Sequence, residues 1–275
     1  MGALPWTRRA TRLTHFIYGE DTYLFTPLWK NGRNRCLATY HYPPDRLIER
    51  VNPGVLKSLD AVVAVGINQV DYFSRFLPAD RIHYLPHPVD ADFFSPGPPP
   101  PVDPIKLLCV GQMYRRHDEV LAVHRRLCNQ GYALETHVIG PKTLLEHPIN
   151  REPGIQVHVG LSDDALLEHY RTASIGLLPL SDATANNSLL EMMACGLPVV
   201  STHVGGVGEY AQGSAVRLTA AGDIDGLCAH VEQLMHAPEV RLEEGRRNRQ
   251  HVLQHLSLPV AAQRMFDLYE KVLTG

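Results

Sequence analysis

The chain has 275 residues, 44% hydrophobic and 20% charged, with a formal charge of −3. That composition suits a globular chain of one large or two ordinary domains, and the near-neutral charge excludes a broad basic field for nucleic acid, so any anion site has to be local. No run reaches the ~18 apolar residues of a membrane-spanning helix, which limits any lipid-facing role to peripheral contact.

The N-terminal Arg8, Arg9 and Arg12 are followed by no apolar core, unlike a signal peptide. Short apolar strands then alternate with helical stretches: LTHFIY from Leu13, a helix about Thr22 to Lys30, RCLATY from Arg35, a helix about Asp45 to Leu59, AVVAVG from Ala61, a helix near Gln69 to Phe76, and IHYLP from Ile82. The alternation predicts a parallel α/β sheet. SPGPPPPVDP, Ser95 to Pro104, carries four consecutive prolines that neither a helix nor a central strand accepts, so a stiff spacer is predicted there. The predicted division is a partial Rossmann-like domain at 1–95, a linker at 96–104 and a second domain at 105–275.

After the linker the rhythm restarts. IKLLCVG from Ile105 precedes a helix about Asp118 to Asn129; LETHVIG and IQVHVG follow, and Ser162 caps the helix DDALLEHYRTA before SIGLLPL. Further strands VVST and AVRL lead to a helix with Ile224, Leu227, Cys228, Val231 and Leu234 at helical spacing, a basic helix, and a last helix about Val260 to Leu273, expected to pack back toward the first domain. The second half has strands enough for a doubly wound domain. The first half shows four, short of the six or seven expected by analogy, so its sheet is expected to be completed by residues outside this chain or by another polypeptide.

The densest stretch runs from Asp182 to Tyr210, DATANNSLLEMMACGLPVVSTHVGGVGEY. Asn186, Asn187 and Ser188 are helix-capping residue types placed before Leu189 and Leu190, which predicts a helix whose first-turn amides and positive dipole end open onto the preceding loop. Such a helix start favours phosphate. Glu191 is expected at the same mouth one turn on. Gly196 supplies a positive-φ exit, LPVVST a buried strand, and Gly205-Gly206 a tight turn beside a ligand.

These residues resemble the donor-site signature of retaining, GT-B fold glycosyltransferases of family 4, which use nucleotide-sugar donors. That family carries a Glu eight residues before a second Glu, then A-M-A-x-G-x-P-V-V and G-G-x-x-E. Here the second Glu is Glu191, MMACGLPVV and Glu209 fit, and the first Glu is replaced by Ala183, with Asp182 beside it. The resemblance implies two Rossmann-like domains, Glu191 on the nucleotide ribose, and Asp182, Thr184, Asn186 and Asn187 as the groups left to meet the sugar. An asparagine-rich turn bonded to its own backbone is the alternative for that loop. The family's V-G-R with a Lys six residues past the Gly reads Val110-Gly111-Gln112 here, with His117 in the Lys position, so Arg115 and Arg116 become the candidates for the diphosphate, Arg116 preferred. Gly111, Gln112, Gly140 and Ser188 complete the implied donor-binding set. His41, ending a strand in ATYHYPP, corresponds to a family His that approaches the donor sugar; a structural His before Pro43 is the other reading. LPHPVDADFFSP resembles P-x-G-V-D-x-x-x-F with Pro88 for Gly, its Asp90 and Phe94 expected to shape the hinge. Tyr170 and Met193 are expected in the core.

The implied partners are a UDP- or GDP-sugar and an unknown glycan, lipid or small-molecule acceptor, with no cofactor. Five cysteines, Cys36, Cys109, Cys128, Cys195 and Cys228, form no C-x-x-C pair and read as reduced, mostly buried thiols of a cytoplasmic protein. Among fifteen histidines, His251 and His255 stand four apart without the Glu of a zinc-protease motif, on what reads as a solvated basic face with Arg246, Arg247 and Arg249, so no metal site is expected. Two other classes stay in view: a non-catalytic nucleotide-sugar-binding module, and a dinucleotide oxidoreductase, which is disfavoured because no G-x-G-x-x-G follows any predicted strand.

Overall fold

A computed structural model describes residues 12–22, 26–31, 33–98 and 104–274. The polyproline core of the expected spacer, 99–103, and the basic residues Arg8 and Arg9 lie outside the described residues. The chain divides into two compact units, one of residues 1–87 with 259–275 and the other of 88–258.

The first unit holds a parallel sheet in the order β1 (Arg12–Phe16), β2 (Asn34–Tyr40), β3 (Ala61–Ala64), β4 (Ile82–Tyr84). All four strands are those the apolar runs predict. Between them lie α1 (Gly19–Thr22), α2 (Thr26–Trp29), α3 (Pro44–Arg50), α4 (Pro53–Leu56) and α5 (Val70–Ser74). The single helix expected over Asp45 to Leu59 is two helices. Pro53 has no N–H to continue the ladder, and Asn52 adopts an extended conformation and caps the new start by accepting from the Gly54 and Val55 amides. Period-two alternation along β2 gives the sheet two buried faces. Cys36, Ala38 and Tyr40 pack with Leu47, Leu56 and Phe73, while Leu37 turns to the other side.

The second unit holds six parallel strands: β5 (Ile105–Val110), β6 (Leu134–Gly140), β7 (Ile155–Val159), β8 (Ile175–Leu178), β9 (Val199–Thr202) and β10 (Arg217–Thr219), in the order β10-β9-β8-β5-β6-β7. Its helices are α6 (His117–Asn129), α7 (Asp163–Thr172), α8 (Asn187–Ala194), α9 (Val207–Ala211), α10 (Ile224–His236) and α11 (Pro238–His255). The last helix, α12 (Leu258–Thr274), joins the first unit, where Leu268 packs with Leu37, Ala61 and Val63. It covers the sheet face that α3 to α5 leave open.

The order of the second sheet fixes where a ligand fits. From β5 the chain winds outward through β6 and β7, then returns to β8 on the other side of β5 and winds the opposite way. The crevice beyond the carboxyl ends of β5 and β8 is therefore the topological switch point, the usual ligand position in open parallel sheets.

Candidate functional site

Two loops meet at that switch point. After β5, Tyr114 takes a φ of 61° in the left-handed region, which side-chain-bearing residues seldom occupy. This strained corner lets the loop lie against the one that follows β8. The Arg116 amide donates to Pro179 O at 3.0 Å, the Ser181 amide to Tyr114 O at 2.9 Å, and Arg115 bridges to Leu180.

The corner sends the two arginines in different directions. Arg115 turns inward: its Nε donates to Val110 O at 2.6 Å, and its Nη2 to Asn186 Oδ1 at 3.1 Å and Ser188 Oγ at 3.0 Å. Arg116 is exposed, sits at the cap position just before α6, and pairs its Nε with Glu119 Oε1 at 3.0 Å. Gly111, at a φ of 124°, is the reason the guanidinium fits, because a Cβ there would overlap it. The loop also sits tightly on β6: the Gly111 amide donates to Ile139 O at 2.9 Å, and a Cβ on Gly140 would lie 3.0 Å from Gly111 O. Gln112 is exposed beside them.

Asn186 is the cap of α8, accepting from the Leu189 amide at 3.1 Å. By position, the first-turn amides of Asn187 and Ser188 have no intrahelical acceptor, and they lie beside the Arg115 guanidinium, so charge and dipole reinforce each other. Asn187 is exposed, whereas Asn186, Ser188 and Thr184 are buried. Thr184 Oγ1 has no hydrogen-bond partner among the described residues, a polar atom at the loop where a ligand hydroxyl would fit. Asp182 accepts from the Ala183 amide at 2.8 Å. The far end of α8 is fastened too, since Arg249 Nη1 donates to the carbonyls of Ala91, Phe94 and Ala194 at 2.7 to 2.8 Å. Arg249 is thus half-buried against α8 and not part of a solvated basic face; Arg246 and Arg247 are exposed.

One turn into α8, the half-buried Glu191 accepts a 2.5 Å hydrogen bond from the Tyr170 hydroxyl. Burial raises the Glu191 carboxyl above the usual carboxylate range, against the opposing pull of Tyr170 and Arg115. Burial also pulls the Arg115 guanidinium below its ordinary value, with Cys109, Tyr170 and Glu191 acting the other way. The Tyr170 ring is fully buried and meets Phe94 edge-on at 5.8 Å. Sequence reasoning placed Tyr170 in the core, where its ring is, and missed its hydroxyl; a Tyr on an apolar helix face is itself the signal, since buried hydroxyls find partners. Met193 is buried in the same core. Asp90 closes a local turn by accepting from the Asp92 and Phe93 amides.

A different concavity, of about 400 Å³, lies at the other end of α8, lined among others by Pro96, Pro98, Arg171, Cys195 and Pro198. Its arginines hold protein acceptors, Arg171 on Ser95 and Arg249 on the three carbonyls above, and it lies away from the switch point, where open parallel sheets usually bind ligands.

In the first unit, His41 follows β2 directly. A buried Glu20 organises it: Glu20 Oε1 accepts from the His41 and Tyr42 amides and lies 3.6 Å from His41 Nδ1. Burial works to raise the Glu20 carboxyl, but the hydrogen bonds from His41 prevail and hold it below the ordinary value. The His41 ring packs between Tyr18, at 5.1 Å, and His87, at 5.9 Å. Glu20 carries no motif signal.

The sequence profile of the family described as Glycosyl transferases group 1 matches residues 104–237. A D-inositol 3-phosphate glycosyltransferase of Geodermatophilus obscurus is 29% identical, over 64% of this chain and 45% of that protein. The chain spans less than half the length of the curated relatives it matches. Sucrose-phosphate synthase of Thermosynechococcus elongatus superposes with a TM-score of 0.81 at 17% identity, over 94% of this chain and 73% of that one. HepE of Anabaena, solved with UDP and glucose, superposes at 0.71 and 12% identity, over 87% and 72%. These likenesses show the GT-B fold, and among the described residues one sheet has four strands and the other six.

Proposed function

We propose that this chain binds a nucleotide-diphosphate sugar, UDP- or GDP-linked, at the start of α8 and transfers the sugar, with retention of configuration, to an acceptor hydroxyl. The observation that carries the reading is the convergence of the Arg115 guanidinium, Asn186, Ser188 and the amide end of α8. The guanidinium and the amide end of α8 are the positive poles, with Asn186 and Ser188 accepting from Arg115 and holding it at the helix start, and this local positive charge suits a diphosphate.

In this reading Arg115 stabilises the charge that develops on the departing diphosphate, in a site where burial makes electrostatics strong. Glu191, aimed by Tyr170, accepts hydrogen bonds from the ribose hydroxyls. Thr184, Asn187 and Asp182 stand where the sugar's hydroxyls need partners, taking over from the carboxylate that Ala183 replaces. The bond from the anomeric carbon to the phosphate oxygen breaks as the bond to the acceptor oxygen forms on the same face. The leaving phosphate takes the acceptor's proton, so no protein nucleophile is required. Retention rests on the family resemblance, and the UDP seen with HepE supports the nucleotide class.

The experiment is turnover: incubation of the chain with UDP- and GDP-sugars, following release of free nucleotide. Release that disappears in Arg115→Ala supports the proposal. Tight nucleotide binding by the folded chain without any release would reduce it to a donor-binding module.

A further inference from the structure

Away from the start of α8, three imidazoles gather on one face of the second sheet: His137 on β6, His158 on β7 and His169 on α7. The register explains the pair on the strands. Ile139 lies opposite His158, so two-residue alternation puts His158 on the same face as His137, one step along. His137 Nδ1 and His158 Nε2 are 2.9 Å apart with ring planes within 2°. The His169 ring closes the group at 4.4 Å from His158 and 5.3 Å from His137. One ring nitrogen from each of the three lies within 4.8 Å of the others.

We propose that His137, His158 and His169 bind a divalent transition-metal ion of the zinc class and so fasten the edge strand β7 to α7. Imidazole-only donors select zinc, copper or nickel and disfavour magnesium and calcium. Tetrahedral zinc with Zn–N of about 2.0–2.1 Å sets its ligand nitrogens about 3.3 Å apart. The His137–His158 contact of 2.9 Å is slightly shorter and all three nitrogens lie within 4.8 Å of one another, so the proposal asks the rings to adjust by rotation on binding. In the 2.9 Å contact one nitrogen must carry the hydrogen; ion binding shifts it to the outward nitrogen of the same ring, with no net change in protonation.

The surroundings support this. His137 is buried, and its other nitrogen, Nε2, has no hydrogen-bond partner among the described residues while facing Glu135 Oε2 at 3.7 Å, the carboxylate–histidine arrangement that orients metal ligands. The charged groups acting on the triad are Lys106 of β5, which also contacts Thr172 at 3.5 Å, and Glu135 of β6. No fourth side chain joins the group among the described residues, which leaves one coordination position for water.

The test uses the full chain, stripped with a chelator and titrated calorimetrically with Zn²⁺, with cobalt(II) absorption reporting coordination number. One equivalent should bind, with a four-coordinate cobalt spectrum and a rise in melting temperature. The variant His158→Ala/His169→Ala leaves the buried His137 in place; it should lose at least a hundredfold in Zn²⁺ affinity and the metal-induced rise, while keeping UDP binding. If that pair does not fold, His169→Gln alone should lose at least tenfold. His251→Ala/His255→Ala should bind as the parent does. Affinity unchanged in the triad variants, or no saturable binding by the folded parent, would overturn the proposal.

Discussion

The Tyr170 hydroxyl donates to Glu191 Oε2 at 2.5 Å, joining α7 to the helix that carries the donor signature. Tyr170→Phe removes the donor and leaves a half-buried carboxylate without it. A hydrogen bond to a charged group contributes about 1.5–3 kcal/mol, so nucleotide affinity should fall about tenfold or more. In the proposed reading it is the ionised form of Glu191 that accepts from ribose, and its carboxyl is already raised by burial. Affinity should therefore rise with pH through that raised value, and Tyr170→Phe should move the rise to higher pH. UDP titrations across pH read both effects. An unshifted profile would leave Tyr170 a packing residue alone.

Gly205 turns with a φ of 49°, and a Cβ there would overlap the Ala183 carbonyl. Gly213, at a φ of 84°, has nothing nearer than the His251 ring at 3.8 Å. Both pay the left-handed penalty of about 1–2 kcal/mol on substitution by Ala, but only Gly205→Ala adds a backbone collision, worth about 1–3 kcal/mol more. Urea unfolding of the two variants isolates the collision. Equal losses would mean that the 182–184 loop yields freely and does not hold a shaped site.

Burial, with His147 and Arg115 nearby, pushes His117 from 6.5 to about 4. The unfolded chain takes up a proton near pH 6.5 that the folded chain accepts only near 4. This depressed pKa leaves stability intact above pH 6.5 and removes it progressively as pH falls toward 4. His117→Gln should flatten the stability profile over that window, without abolishing the slope, because His169 titrates in the same range. Melting temperatures at pH 4.5 to 7.5 are the measurement, and parallel curves for the two proteins would contradict it.

What was legible in the sequence follows local rules. Asn186 as cap and Gly196 as positive-φ exit, at 76°, need only a few neighbouring residues, and the strands of both sheets read directly from their apolar runs. The break at Asn52-Pro53 was equally local, but the helical spacing on either side masked it. That Arg115 turns inward while Arg116 turns out to solvent was not legible. It turns on the left-handed corner at Tyr114 and on the bridge to Leu180, a pairing made across 65 residues. The partners of Tyr170, Glu20 and His137 are likewise set by which elements the sheet brings together. The relatives' Lys register, answered here by His117, gives no sign of where a guanidinium five residues past the strand's last valine will point.

The central claim is that Arg115, and not Arg116, meets the nucleotide diphosphate at the start of α8. Isothermal titration of UDP and GDP into the parent chain, Arg115→Ala and Arg116→Ala tests it most directly. Binding of one of the two nucleotides should weaken roughly ten- to a hundredfold in Arg115→Ala, the value of a lost charged hydrogen-bond pair. In Arg116→Ala it should stay within about threefold, as expected for an exposed arginine paired with Glu119. Loss in Arg116→Ala with full affinity in Arg115→Ala, or no binding of either nucleotide by the folded parent, would contradict the account.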